Sequence, residues 1–231
     1  MGARRAFKIA STPPEGPVAL AFPIDVLSAP GKAAIIEREK FIIRPQIQPA
    51  ARLVEEAAKL LLDAENPVLI VGPEVTRANA KSEIIKLAER LSIPVSQGER
   101  LFDDFPTEHP LFLGDLTGPA IGPRDADLLL NFGSRMSSGP NQTAPSGTKM
   151  IHISIDPDSI GRVVPTDLGI VAGVKEAAAD LLDAVESAAP EARIRDIQAA
   201  RLALVRPVTE DRRARCGVPC LQHSTLVSLD E

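Results

Sequence analysis

The sequence predicts an α/β fold: a Rossmann-like parallel sheet covered by helices on both faces, with extended N- and C-terminal flanking segments. Three observations predict it. Short apolar runs alternate with stretches of helical period through the middle of the chain, and several of these runs end at a Gly or Pro turn. The segment from Met150 to Gly161, M-I-H-I-S-I-D-P-D-S-I-G, alternates Ile151, Ile153 and Ile155 and then delivers Asp156 to a strand end. Parallel strands need crossover connections, so strand and helix in alternation imply a covered parallel sheet.

Residues 1–45 read differently from the rest. A short basic helix comes first, and then Val18, Leu20 and Phe22 alternate as a strand. Pro23 and the lack of a local partner leave that strand poorly buried, an element that completes a sheet elsewhere. An apolar edge of this kind invites association. A charged connector through Glu37, Arg38, Glu39 and Lys40 follows.

From Pro49 the period becomes helical, with Leu53, Ala57, Leu60, Leu61 and Ala64 on one face until Asn66-Pro67 stops the helix. Val68 to Val71 is an unbroken apolar run before Gly72-Pro73, the pattern of a fully buried parallel strand. A second helix runs from about Ala78 to Leu91 with Ile84, Leu87, Ala88 and Leu91 inward, and Pro94-Val95-Ser96 is a short strand. Gln97 to Gly122 reads as a long irregular segment. The third strand is Leu128 to Phe132, the fourth is the Ile151 strand and the fifth is Ile170 to Ala172. Between the third and fourth lies a Gly/Pro loop from Gly133 to Gly147, and a helix from Lys175 to Ser187 closes the domain. These elements bound a Rossmann-like domain over residues 46–188. Past Pro190 the chain turns basic, and Arg193 to Arg215 reads as a solvated helix or linker.

Composition narrows the function. A chain of 231 residues with 44% hydrophobic and 25% charged residues is an ordinary globular protein. A net charge of -5 argues against nucleic acid or an anionic membrane as partner, because both demand clustered positive charge. Seven Phe without Trp or Tyr leave no stacking platform for single strands and make the core aliphatic. No window spans a bilayer and no apolar signal core follows the N-terminus, so the cytoplasm is the expected location. Cys216, Cys220 and His223 invite a zinc reading, but a structural zinc needs four ligands. Two free thiols and no metal site are expected.

Six segments together point to a family. They are G-P-V-A-L-A-F-P-I-D-V-L at 16–27, N-P-V-L-I-V-G-P-E-V at 66–75, L-A-E-R-L-S-I-P-V at 87–95, F-P-T-E-H-P-L-F-L-G at 105–114, A-D-L-L-L-N-F-G-S-R at 126–135 and I-H-I-S-I-D-P-D-S-I-G at 151–161. In this order they resemble the central domain of thiamine-diphosphate-dependent enzymes of the benzoylformate decarboxylase and acetolactate synthase type. The wording G-P-E-V-T-R-A-N-A leans toward the benzoylformate decarboxylase branch. The resemblance implies that 1–45 is the end of a pyrimidine-binding domain with its connector. It also implies that 189–231 is a basic linker toward a missing diphosphate-binding domain. The complete enzyme would use thiamine diphosphate and Mg2+ on 2-oxo acids, by decarboxylation or carboligation, as a homo-oligomer.

The family's activating glutamate and its G-D-G metal motif have no counterpart in these residues. Gly114-Asp115-Leu116 comes nearest, but it lies inside the central-domain match and is rejected as a magnesium site. The chain is therefore expected to be a scaffold, inactive alone: a fragment or one part of a split enzyme, with no catalytic residue of its own. The alternatives are a free-standing nucleotide-binding module and a noncatalytic structural subunit.

Some relatives bind FAD or ADP in this domain, and the matching positions are Gly72, Gly133, Ser134, Arg135 and Asp156. Glycines at strand ends let backbone approach a phosphate, Arg135 can pair with it, and Asp156 can hold ribose hydroxyls. The competing reading is glycine-loop packing, a surface Arg135 and an Asp156 that caps its own turn. The interval from Gly114 to Ala126 is short for the family, which would leave one pocket wall missing. His109 reads as a hydrogen-bonded loop histidine, Asp103 and Asp104 as solvated, and His152 as a partnered structural residue.

Overall fold

In the computed structural model the described residues are 2–32, 37, 40, 45–99, 101–116, 126–136 and 146–216; Asp115 and 208–216 are described by backbone alone. The chain divides into two compact units, Met1–Ile47 and Gln48–Glu231. The first unit holds helices α1 (Gly2–Ser11) and α2 (Ile24–Ser28). The strand expected at Val18–Phe22 does not form, because alternation alone supplies no partner edge to hydrogen-bond. Val18, Leu20, Phe22 and Ile24 are nevertheless exposed.

The second unit opens with α3 (Ala51–Asp63), which buries Val54, Ala57, Ala58, Leu61 and Leu62, the three-and-four spacing of an amphipathic helix. Strand β1 (Pro67–Val71) follows and is buried along its whole length. The helix expected from about Ala78 to Leu91 is α5 (Lys81–Leu91), and a short unexpected helix, α4 (Pro73–Arg77), precedes it across Asn79, which lies in the left-handed region at φ 53°. Strands β2 (Val95–Gln97), β3 (Phe112–Asp115), β4 (Leu128–Phe132), β5 (Lys149–Ser154) and β6 (Leu168–Val171) complete the sheet. Helix α6 (Val174–Ala188) and the long α7 (Glu191–Cys216) end the described chain.

All five pairings are parallel and the order is β3-β2-β1-β4-β5-β6. The fold is thus α/β and Rossmann-like, as expected, with six strands rather than five. The added strand is β3, whose F-L-G-D carries little strand signal and whose pairing to β2 shifts register between Val95 and Ser96.

Alternate residues of each strand face opposite sides. Leu69, Val71, Val95, Leu130, Phe132, Ile151, Ile153 and Ile170 face the layer of α3, α5 and α6 and join its apolar residues in the main core. Val68, Ile70, Leu129 and Met150 face the other way, where Met136 and Val164 from the β4–β5 and β5–β6 connections pack on them. Right-handed crossovers put those connections opposite α5, because the strand order reverses between β1 and β4. Parts of that cover, 117–125 and 137–145, lie outside the described residues, and so does the short interval expected to lack a pocket wall.

The stretch past Pro190 is a helix, one of the two forms expected of it, but it is not solvated throughout. Arg201 is 3% exposed, and its guanidinium donates to Leu61 O at 2.6 Å and Ala64 O at 2.8 Å, at the end of α3, and to Leu91 O at 3.3 Å, at the end of α5. Helix C-termini leave carbonyls unpaired and carry partial negative charge, so one buried cation serves both ends. Burial pulls the Arg201 pKa down to about 10, with Asp127 opposing, so it is charged at neutral pH.

Candidate functional site

The order reversal between β1 and β4 places a crevice at the C-terminal ends of these strands, where sheets of this kind take up ligands. The fold brings Gly72, Gly133, Ser134, Arg135 and Asp156 to that end. Gly72 N donates to Phe132 O at 3.0 Å and Gly133 N to Ile153 O at 2.9 Å, so the loops after β1, β4 and β5 are stitched side by side. Ser134 is fixed by Asn131, whose amide donates to Ser134 O at 2.8 Å and accepts from Ser134 N at 3.1 Å.

The two glycines are required by this packing. A Cβ on Gly72 would stand 2.3 Å from Ser134 Cα, a backbone atom that cannot swing away. Gly133 has φ +65°, and a Cβ there would stand 2.3 Å from Glu74 Cβ. The position of an added Cβ on each glycine is thus already taken by protein.

Glu74, which sequence reading passed over, is the central side chain. It sits in the first turn of α4 and reaches across to β5: Ser154 Oγ donates to Oε1 at 2.6 Å and Ile155 N donates to Oε2 at 2.9 Å. Ser154 Oγ also accepts from Asp156 N at 3.0 Å, and the Ser159 hydroxyl lies 2.8 Å from it. Burial pushes the Glu74 carboxyl above its ordinary range, against the two hydrogen bonds; Asp156 adds to the rise and Arg135 opposes it. The readable signal was a Glu two residues past a strand-ending glycine, with small hydroxyls ending a neighbouring strand.

Asp156 accepts from Asp158 N at 3.1 Å, a local turn cap, and Arg135 is exposed. As a nucleotide cradle the set fits poorly, since a diphosphate would meet the Glu74 and Asp156 carboxylates with Arg135 the one cation of the set.

On the other side of α4, Thr76 Oγ1 donates to Asp104 Oδ1 at 2.7 Å. Asp104 is fully buried, which corrects its reading as solvated; burial raises its carboxyl pKa. Asp103 does face solvent and pairs with Lys81 at 3.3 Å. His109 is the loop histidine expected: Nδ1 accepts from Leu111 N at 3.2 Å, so Nε2 carries the proton and donates to Glu89 at 3.2 Å. His152 is 3% exposed and is the partnered structural residue expected, through the Ser134 backbone, although its Nε2 has no hydrogen-bond partner among the described residues. Burial pulls its pKa from 6.5 to about 4, against a hydrogen bond to the Ser134 backbone.

No group of three or more His, Cys, Asp or Glu able to hold a metal occurs among the described residues. Gly114 and Asp115 lie in β3, their backbones in register with Ser96 and Gln97. Cys220 and His223 lie outside the described residues. No helix among the described residues is long and apolar enough to cross a membrane.

Known proteins agree with this geometry. The family model for the central domain of thiamine pyrophosphate enzymes matches residues 54–181, from α3 through β6 into α6. The acetolactate synthase large subunit of Corynebacterium glutamicum is 34% identical over 197 residues, covering 80% of this chain and 31% of the relative. The probable acetolactate synthase large subunit of Methanocaldococcus jannaschii is 33% identical over 199 residues, covering 79% of this chain and 33% of the relative. The crystal structure of benzoylformate decarboxylase from Polynucleobacter necessarius superposes with TM-score 0.65 at 29% identity, covering 80% of this chain and 36% of that one. The chain thus spans 31% to 33% of the length of these two curated relatives. It belongs to the family of thiamine pyrophosphate enzyme central domains.

Proposed function

We propose that this chain is the central scaffold of a thiamine-diphosphate-dependent enzyme that decarboxylates or carboligates 2-oxo acids, in the manner of acetolactate synthase. The observation that carries the reading is that the family match runs across the whole sheet, from residue 54 to 181. In this reading 46–188 is the central domain, 1–45 the end of a pyrimidine-binding domain with its connector, and 189–231 leads toward a diphosphate-binding domain. Thiamine diphosphate supplies carbanion stabilisation, and Mg2+ gathers its diphosphate oxygens. Neither task is assigned to a residue of this chain.

What the chain's own residues do is hold a frame. Arg201 ties α7 to two helix ends, and Glu74 ties α4 to β5, so elements leaving the sheet depart in fixed directions. The relatives favour this reading over a free-standing nucleotide module or a noncatalytic subunit. A homo-oligomeric, cytoplasmic enzyme completes the proposal.

The test is turnover of a 2-oxo acid such as pyruvate by the purified 231-residue chain with thiamine diphosphate and magnesium. None above background is expected. Activity is expected once segments carrying the pyrimidine- and diphosphate-binding domains are supplied. Turnover by the chain alone would refute the scaffold reading.

A further inference from the structure

The switch-point crevice of a Rossmann-like sheet offers a ligand three things: a glycine-lined approach, free N–H groups at strand ends and helix starts, and a side chain for the ribose. In this chain each is already engaged. The helix after β1 begins at Pro73, which has no N–H, and runs only to Arg77. The stem of Glu74 lies against Gly133, where an added Cβ would come within 2.3 Å of it. Its carboxylate takes the Ser154 hydroxyl at 2.6 Å and the Ile155 N–H at 2.9 Å, the donors at the end of β5. Asp156, the ribose candidate, is held by Asp158 N.

We propose that Glu74 is a built-in occupant of the nucleotide position, an internal carboxylate that excludes FAD and ADP from this domain by filling the crevice and by charge. The exclusion has two physical parts. Its methylenes take the volume beside Gly133 that a phosphate would use. Its charge, with Asp156 nearby, repels an anion, and the exposed Arg135 acts electrostatically on that carboxylate. The inference concerns this crevice alone and holds whether or not the thiamine reading does.

The experiment follows the thermal midpoint of the 231-residue chain while ADP, and separately FAD, is raised to millimolar concentration, for the wild type and for Glu74→Ala. A ligand that binds only the folded state must raise the midpoint. The wild type is expected to show no rise. Glu74→Ala is expected to melt lower without ligand and to gain a rise that saturates with ADP. If Glu74→Ala does not fold, Glu74→Ser, which keeps a short polar group at the helix start, takes its place in the same titration. A wild-type rise overturns the proposal because the crevice is then open. Absence of a rise in wild type and folded variant alike also overturns it, because something other than Glu74 then keeps nucleotide out. Neither result bears on 2-oxo acid turnover.

Discussion

The two ends of the sheet are each fixed by one buried ionisable group, and the groups have opposite sign. At the N-terminal ends of β1 and β2 the helices α3 and α5 finish, presenting carbonyl oxygens, and the Arg201 guanidinium collects three of them. At the C-terminal end of β5 the chain presents N–H and O–H groups, and the Glu74 carboxylate collects two. Backbone polarity dictates the choice: helix ends rich in C=O need a cation, and strand ends with outward N–H groups need an anion. The proposed closure of the ligand-side end by Glu74 thus mirrors the tie that Arg201 makes at the other.

The largest test of this symmetry is Arg201→Ala. Three helix-end carbonyls lose a charged donor together, so a loss on the order of 4 kcal/mol is expected in denaturant unfolding of the chain. Arg201→Lys should recover less than half, because a single ammonium cannot span both helix ends as the planar fork does. A loss under about 1 kcal/mol would detach α7 from the frame.

Next in size is the pH response. The His152 pKa is depressed in the folded state, from 6.5 to about 4, so its contribution is full above 6.5 and is lost as pH falls toward 4. That gap corresponds to about 3 kcal/mol. His152→Gln should flatten the stability profile over that window. Glu74 and Asp104 act in the reverse sense: their carboxyls are raised on folding, so they add stability as pH drops below their folded values, fully present below 4.5 and 3.8. Glu74→Gln should therefore make the wild-type acid loss steeper, measured by the denaturant midpoint against pH.

Smaller effects sharpen the ligand-side end. Gly72→Ala forces a methyl into the Ser134 backbone and should cost about 2 kcal/mol. Thr76→Val, which strips the fully buried Asp104 of its hydroxyl donor, should cost about 1 kcal/mol. If Gly72→Ala proves neutral, the loops after β1 and β4 are not in contact and the closed crevice is wrong.

The sheet was largely legible in the sequence, because β1, β4 and β5 are buried on both faces and their apolar runs are set by local pattern. Strand β3 was not, since F-L-G-D acquires strand geometry only by pairing with β2. Val18, Leu20 and Phe22 show the converse, a strand period with no strand. The set Gly72, Gly133, Ser134, Arg135 and Asp156 came from the family resemblance, and its members fall at strand ends. Glu74 and Arg201 escaped because their partners lie far along the chain: Ser154 is 80 residues from Glu74, and Leu61 is 140 from Arg201. Nothing in the local sequence distinguishes the buried Arg201 from the exposed Arg193, Arg195 and Arg206 except its place on the helix face.

We propose that this polypeptide frames a thiamine site whose ligands are supplied by other segments. Calorimetric titration of the 231-residue chain with thiamine diphosphate in the presence of magnesium tests it most directly. The account predicts no saturable heat at millimolar ligand. Stoichiometric binding to this chain alone would contradict it.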